Sequence, residues 1–181
     1  DPFIVLADAD VDLAAKTAVK ARFSNTGQSC ISSKRFIVDA SIADEFVKKL
    51  CEGVSRLKIG DPHDRDTEIG PLARDNLRTD LHSQVLRSIE AGATLKQGGQ
   101  PIDGPGYFYQ PTILDHVSPT MAAGCEETFG PLAAVIRVNG ADEALKIAND
   151  TPFGLGAAIW SQDIAAARHL ARRIQAGAVF I

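Results

Sequence analysis

Residues 132–181 read LAAVIRVNGADEALKIANDTPFGLGAAIWSQDIAAARHLARRIQAGAVFI. Three short apolar runs stand out in this stretch: Leu132 to Val138, Leu155 to Trp160 and Ala178 to Ile181. They carry almost no polar alternation, as expected of strands covered on both faces. Between them, Ala141 to Asn149 and Ile164 to Gln175 have the spacing of amphipathic helices. Strands alternating with helices predict βαβ units and a parallel sheet. The expected fold class is therefore α/β, a three-layer α/β/α sandwich with a mainly parallel sheet.

Working back toward the start, the same two periods recur less regularly. Tyr107 to Leu114 reads as extended, with Pro111 favouring an edge or a bend. The Gly/Pro-rich stretch Gly98 to Gly106 reads as loop, and Thr94 to Lys96 as a short strand. Leu77, Leu81, Val85 and Ile89 recur every four residues, and Gly92 can end that helix with positive φ. Phe46, Val47, Leu50, Val54 and Leu57 mark one face of another helix, which Ser41-Ile42-Ala43-Asp44 opens in the manner of a capping box and Gly60-Asp61-Pro62 closes. Arg35 to Val38 is strand-like. Asp8 and Asp10 can cap a helix from Val11 to Phe23. The apolar run Phe3-Ile4-Val5-Leu6 and the final Val179-Phe180-Ile181 read as ends of a segment cut from a longer polypeptide, exposed and prone to association.

With 181 residues, 45% hydrophobic and 23% charged, the chain can bury one sizeable core. A formal charge of −4 with scattered Lys and Arg gives no footprint for nucleic acid or a membrane surface. No apolar run approaches the roughly 20 residues of a membrane span, and no signal peptide opens the chain. Cys30, Cys51 and Cys125 are odd in number and unclustered. That argues for a reducing, cytoplasmic setting and against a disulfide framework or a metal site.

Cys30 falls in Asn25-Thr26-Gly27-Gln28-Ser29-Cys30-Ile31, between a predicted helix and a predicted strand. A thiol at such a junction is held near the surface, beside backbone N–H groups that can stabilise a thiolate or an oxyanion. The plainer alternative is a buried cysteine acting as a small hydrophobe. Cys51 on its helix is read as packing; Cys125, beside the Glu126-Glu127 turn, could approach a site there but is read as structural, and Trp160 is read as core. His63, His82, His116 and His169 are isolated and are read as having no catalytic or metal role. Glu126-Glu127-Thr128-Phe129-Gly130-Pro131 is either a polar turn with a buried ring or a carboxylate and aromatic pair for a ligand. It precedes a strand, whereas sites in parallel sheets usually gather beyond strand carboxyl ends.

Six segments together carry a resemblance: 23–30 (FSNTGQSC), 58–62 (KIGDP), 69–72 (IGPL), 106–112 (GYFYQPT), 126–131 (EETFGP) and 149–155 (NDTPFGL). In this order they resemble the catalytic domain of the aldehyde dehydrogenase superfamily, over residues 1–181. The resemblance implies that Cys30 is the nucleophile and that its N–H forms half of an oxyanion hole. It implies that Glu127 binds the nicotinamide ribose, that Phe129 packs by the nicotinamide, and that Gly27 and Gln28 shape the loop presenting the thiol. The implied reaction is oxidation of a small aldehyde through a thiohemiacetal and a thioester, with NAD or NADP as cofactor. The family's general-base Glu, its oxyanion-hole Asn, its dinucleotide-binding domain and its oligomerisation segment are expected outside this stretch, in a parent that is a homo-oligomer. The cofactor would then be bound mainly by the absent domain, and the 181-residue chain alone would be inactive.

Within the superfamily, residues 34–38 (KRFIV), 41–46 (SIADEF) and 98–109 resemble bacterial succinate-semialdehyde dehydrogenases. Two positions depart from that pattern. Ser24 stands six residues before Cys30, where many of those enzymes carry an Arg that can pair with the substrate carboxylate. Ser32 stands where a second Cys often follows. Arg22 is near in sequence but falls on a different helix face. Three alternatives remain open: a different aliphatic aldehyde, a catalytically silent folded module, and a cysteine peptidase, faintly suggested by Gln28-Ser29-Cys30 but lacking the expected aromatic neighbour and His–Asn pair.

Overall fold

A computed structural model describes all residues, Asp1–Ile181. Seven strands form one sheet: β1 (Pro2–Val5), β2 (Arg35–Asp39), β3 (Thr94–Gln97), β4 (Thr112–Asp115), β5 (Leu132–Val138), β6 (Gly156–Trp160) and β7 (Ala178–Phe180). Their spatial order is β3-β4-β5-β2-β1-β6-β7. Only the β3–β4 pair is antiparallel. Helices α1 (Val11–Phe23) and α2 (Ala43–Val54) cover one face, packing on Phe3, Val5, Phe36, Val38 and Val135. On the other face, α3 (Asp75–Glu90), α5 (Ala141–Asn149) and α6 (Ile164–Ala171) pack on Ile4, Ile37, Ala134, Ile136 and Ile159. A short helix, α4 (Ala122–Cys125), leads toward β5. The alternation Phe3/Ile4/Val5 and Phe36/Ile37/Val38 divides the strand side chains between two cores, which makes the molecule the expected three-layer α/β/α sandwich.

Four local expectations change. The run Phe3 to Leu6 is not an exposed end. It lies within β1 and just beyond it, and β1 sits between β2 and β6 with Ile4 and Val5 fully buried. Ser41 does not cap α2; Asp39 instead accepts from the Ser41 N–H and hydroxyl, and Ile42 takes the cap position. Asp10 does cap α1, accepting from Leu13 N–H at 3.0 Å, whereas Asp8 reaches across to the turn before α6 and accepts from the N–H groups of Gln162 and Asp163. Finally, α6 ends at Ala171. Its last turn tightens, with Arg173 N–H bonding Leu170 O and Ile174 N–H bonding Ala171 O. The Asn149 side chain then takes Arg173 O and Gln175 N–H. No helix is long and apolar enough to cross a membrane.

Candidate active site

Between α1 and β2 the backbone does something costly. Asn25, Thr26 and Gly27 all have positive φ (53°, 57° and 72°), three left-handed residues in succession. Such a conformation persists only when its surroundings over-determine it. Here they do. Asn25 Nδ2 donates to Gln28 O at 3.0 Å, and Thr26 Oγ1 accepts from Gly70 N–H at 3.0 Å. The Gln28 amide donates to Pro71 O and accepts from Ala73 N–H. Gly130 N–H donates to Gly27 O at 3.2 Å. The turn delivers Cys30 to the surface, with its thiol exposed and its backbone N–H bonded to no acceptor in the protein.

The second loop is set by a buried arginine. Arg22, at the end of α1, is 0% exposed. Burial disfavours its charge, and the carbonyls of Thr128, Gly130 and Leu132 answer it as acceptors. Nη1 alone lacks a partner. These bonds fix the Glu127–Leu132 segment against the helix that precedes Cys30.

The two acids of this segment are differently employed. Glu126 receives both Arg87 Nη groups, at 2.6 and 2.8 Å, together with Gln84 Nε2. The Arg87 hydrogen bonds hold its carboxyl below the usual range. Glu127 has no hydrogen-bonded partner for its carboxylate; its Oε1 lies 3.8 Å from Lys34 Nζ. Burial and nearby Arg22 lower the Lys34 ammonium, against the pull of Glu127 and Cys30.

These groups meet in a cleft of about 360 Å³ lined by Asp1, Pro2, Cys30, Lys34, Arg35, Gly124–Glu127 and Thr151–Leu155. Asp1 precedes β1, Lys34 precedes β2, Gly124–Glu127 leads toward β5 and Thr151–Leu155 precedes β6. The cleft therefore lies at the amino ends of parallel strands, the reverse of the usual place. Arg35 ties the last of these loops down, donating to Ile147 O and Ala148 O at the end of α5.

The structure thus brings Cys30 and Glu127 to one cleft. Phe129 lies just beside it, half-buried, with the Lys34 ammonium 5.1 Å from its ring centre. Gly27 and Gln28 sit inside the turn. Ser24 does not line the cleft; its hydroxyl donates to Lys20 O, and it faces a separate groove with Lys16, Lys20 and Phe23. No histidine lines the cleft; His82, for one, pairs with the Tyr109 hydroxyl at 2.9 Å. Cys51 is half-buried, with burial raising its thiol. Cys125, expected beside the Glu126-Glu127 turn but read as structural, is exposed and borders the cleft. Trp160 is only partly buried and stacks on Phe3 at 5.5 Å. Sequence reasoning missed Lys34, Arg22 and Arg35. The one available signal was a pair of cations, Lys34-Arg35, directly ahead of the apolar run Phe36-Ile37-Val38.

Comparison with known proteins adds the decisive observation. The model of the aldehyde dehydrogenase family matches residues 1–181. The chain belongs to the aldehyde dehydrogenase family. This aldehyde dehydrogenase chain is 50% identical over its whole length to the NADP(+) succinate-semialdehyde dehydrogenase of Mycobacterium avium, covering 38% of that protein. It is 47% identical to the NAD(P)+ succinate semialdehyde dehydrogenase Sad of Escherichia coli, covering 39% of it. Among solved structures, succinate-semialdehyde dehydrogenase from Burkholderia pseudomallei superposes with a TM-score of 0.96 at 38% identity, over 99% of this chain and 37% of the other. Lactaldehyde dehydrogenase from Escherichia coli superposes equally well at 35% identity, over 99% and 38%. The aldehyde dehydrogenase chain therefore spans well under half the length of these relatives.

Proposed function

We propose that this chain is the catalytic part of an NAD(P)-dependent enzyme that oxidises succinate semialdehyde to succinate, with Cys30 as nucleophile. The observation that carries the reading is the meeting of an exposed thiol and a hydrogen-bond-free carboxylate, Cys30 and Glu127, in one cleft. The relatives named succinate-semialdehyde dehydrogenase support the substrate. We place the parent in the cytoplasm, as a homo-oligomer with no nucleic-acid or membrane partner.

The Cys30 thiolate adds to the aldehyde carbon, and the carbonyl electrons move onto oxygen. The unbonded Cys30 N–H is placed to donate to that oxyanion. Collapse of the thiohemiacetal expels a hydride and leaves a thioester on Cys30. Water then attacks the thioester carbon, a second oxyanion forms at the same N–H, and its collapse releases the acid and the thiolate. When bound, NAD(P)+ supplies the hydride acceptor. Glu127 suits its ribose, because a carboxylate with free lone pairs accepts from two neighbouring hydroxyls, and Phe129 offers a flat apolar face alongside. The remaining dinucleotide contacts and the general base belong, on this reading, to other segments of the parent.

Replacing Cys30 with Ala in the full-length enzyme is expected to abolish oxidation and leave dinucleotide binding nearly intact. Peptide mapping after brief iodoacetamide treatment is expected to find Cys30 labelled first, ahead of Cys125 on the same cleft and half-buried Cys51. Turnover by Cys30→Ala, or first labelling at Cys125, would sink the reading. The 181-residue chain alone is expected to produce no NAD(P)H.

A further inference from the structure

Lys34 is 6% exposed, one residue ahead of β2. Taking an ammonium out of water is costly unless it is paired and hydrogen-bonded. Its Nζ donates to Ser29 O at 3.1 Å, Cys30 O at 3.2 Å and Ser32 O at 3.5 Å. All three carbonyls belong to the turn that carries the thiol. An ammonium has three N–H donors, so the turn uses every one. Glu127 Oε1, at 3.8 Å, is then held by charge alone, and no other cation lies within 4 Å of that carboxylate. The same ammonium lies over the Phe129 ring. Lys34 thus grips the Cys30 turn with its hydrogen bonds and the Glu127–Phe129 segment with its charge, leaving the Glu127 lone pairs free for a ligand.

We propose that Lys34 is a positioning residue that sets the reach between the Cys30 thiol and the Glu127 carboxylate, so that a cofactor held on Glu127 meets a carbonyl held on Cys30. The inference rests on the roles given to those two residues above. Hydride transfer needs reacting atoms about 3–3.5 Å apart, and a displacement of about 1 Å can cost about 100-fold in rate. Arginine is not equivalent here, because its planar fork cannot direct three donors from one atom into a single turn.

The test uses the full-length enzyme with Lys34→Met, Lys34→Arg and, as control, Cys30→Ala. Lys34→Met is expected to lower kcat per active site by about 100-fold. The deuterium isotope effect on kcat with deuterated aldehyde should rise to its full value. Lys34→Arg is expected to restore only part of kcat. A merely structural lysine would change the fraction of active enzyme, titrated by stoichiometric alkylation of Cys30, without moving the isotope effect. Unchanged kcat per active site and isotope effect in Lys34→Met would overturn the inference. Should that variant not fold, exposed Glu127 gives a second route. Glu127→Gln, with no dinucleotide present, leaves the Lys34 charge unanswered beside the Cys30 turn and is expected to speed Cys30 alkylation by about threefold or more. An unchanged alkylation rate would count against the coupling. Turnover by Cys30→Ala would remove the parent reading itself; an inactive Cys30→Ala with unaffected Lys34 variants would remove only the inference.

Discussion

Gly27 and Gly130 touch backbone to backbone: a Cβ on Gly27 would lie 2.2 Å from the Gly130 carbonyl oxygen. That contact joins the turn carrying Cys30 to the segment carrying Glu127, and nothing larger than hydrogen fits there. Gly27 also needs its φ of 72°. Gly27→Ala is therefore expected to part the two loops by about 1 Å and cut kcat/KM by at least about 100-fold. Near-normal activity of Gly27→Ala would show that the spacing of the loops is not set by this contact.

Glu127 accepts no hydrogen bond from the protein through its carboxylate, so its substitution removes a ligand contact and, within the fold, only the 3.8 Å charge pairing with Lys34. Glu127→Gln keeps the shape and loses the charge. Hydride transfer should slow until it limits turnover, with a full deuterium isotope effect on kcat. Steady-state kinetics with deuterated and ordinary aldehyde decide the matter; no change in either would take Glu127 out of the site.

Ser24 lies in a groove with Lys16 and Lys20, apart from the cleft. A charge-assisted hydrogen bond contributes about 1.5–3 kcal/mol, and about 1.4 kcal/mol is tenfold. Because Ser24 faces away from the cleft, Ser24→Arg in the parent is expected to move the kcat/KM preference for succinate semialdehyde over pentanal by less than about threefold. A gain of about tenfold or more would place the substrate's distal carboxylate on the Ser24 side.

Far from the cleft, Arg137 bridges buried Asp115 and exposed Asp44. Burial alone would raise the Asp115 carboxyl, but hydrogen bonds from Arg137 and the His116 N–H outweigh it, and the group sits below its usual value. A carboxylate whose pKa is lower folded than unfolded stabilises the fold above the unfolded value, about 3.9, and loses that contribution as pH falls through the folded value. Acid unfolding followed by circular dichroism should therefore set in at higher pH for Arg137→Met. At neutral pH, urea titration should show a loss of about 1.5–3 kcal/mol.

The exposed apolar edge is β7, which pairs with β6 on one side only; Phe180 is 68% exposed. An open, apolar edge strand invites pairing with another chain. The isolated 181-residue chain should self-associate in sedimentation velocity runs, and Phe180→Lys should return it toward monomer. A monomeric wild-type chain would contradict this.

The sandwich was legible from residues 132–181 because a strand buried on both faces and an amphipathic helix have different periods. The position of β1 was not, because Phe3-Ile4-Val5-Leu6 has the same composition whether it lies at an end or in the middle of a sheet. Only its partners, β2 and β6, decide that, and they are remote in sequence. In the site, Cys30 and Glu127 were legible through motifs. Lys34 and Arg22 were not, because their work is done on backbone carbonyls, which carry no residue signature.

Because Phe3 pairs with both Phe36 and Ala158, the centre of the sheet closes only after chain from far along the sequence has arrived. Along the chain β1 meets its neighbour β2 after one helix and its other neighbour, β6, only after four further strands have passed. Until β6 docks, one edge of β1 stays unpaired and its apolar side chains lack part of their cover. Such pairings of high contact order fold slowly and expose the nascent chain to wrong partners. The placement of β1 between partners so far apart in the sequence thus sets the order in which this sheet can close.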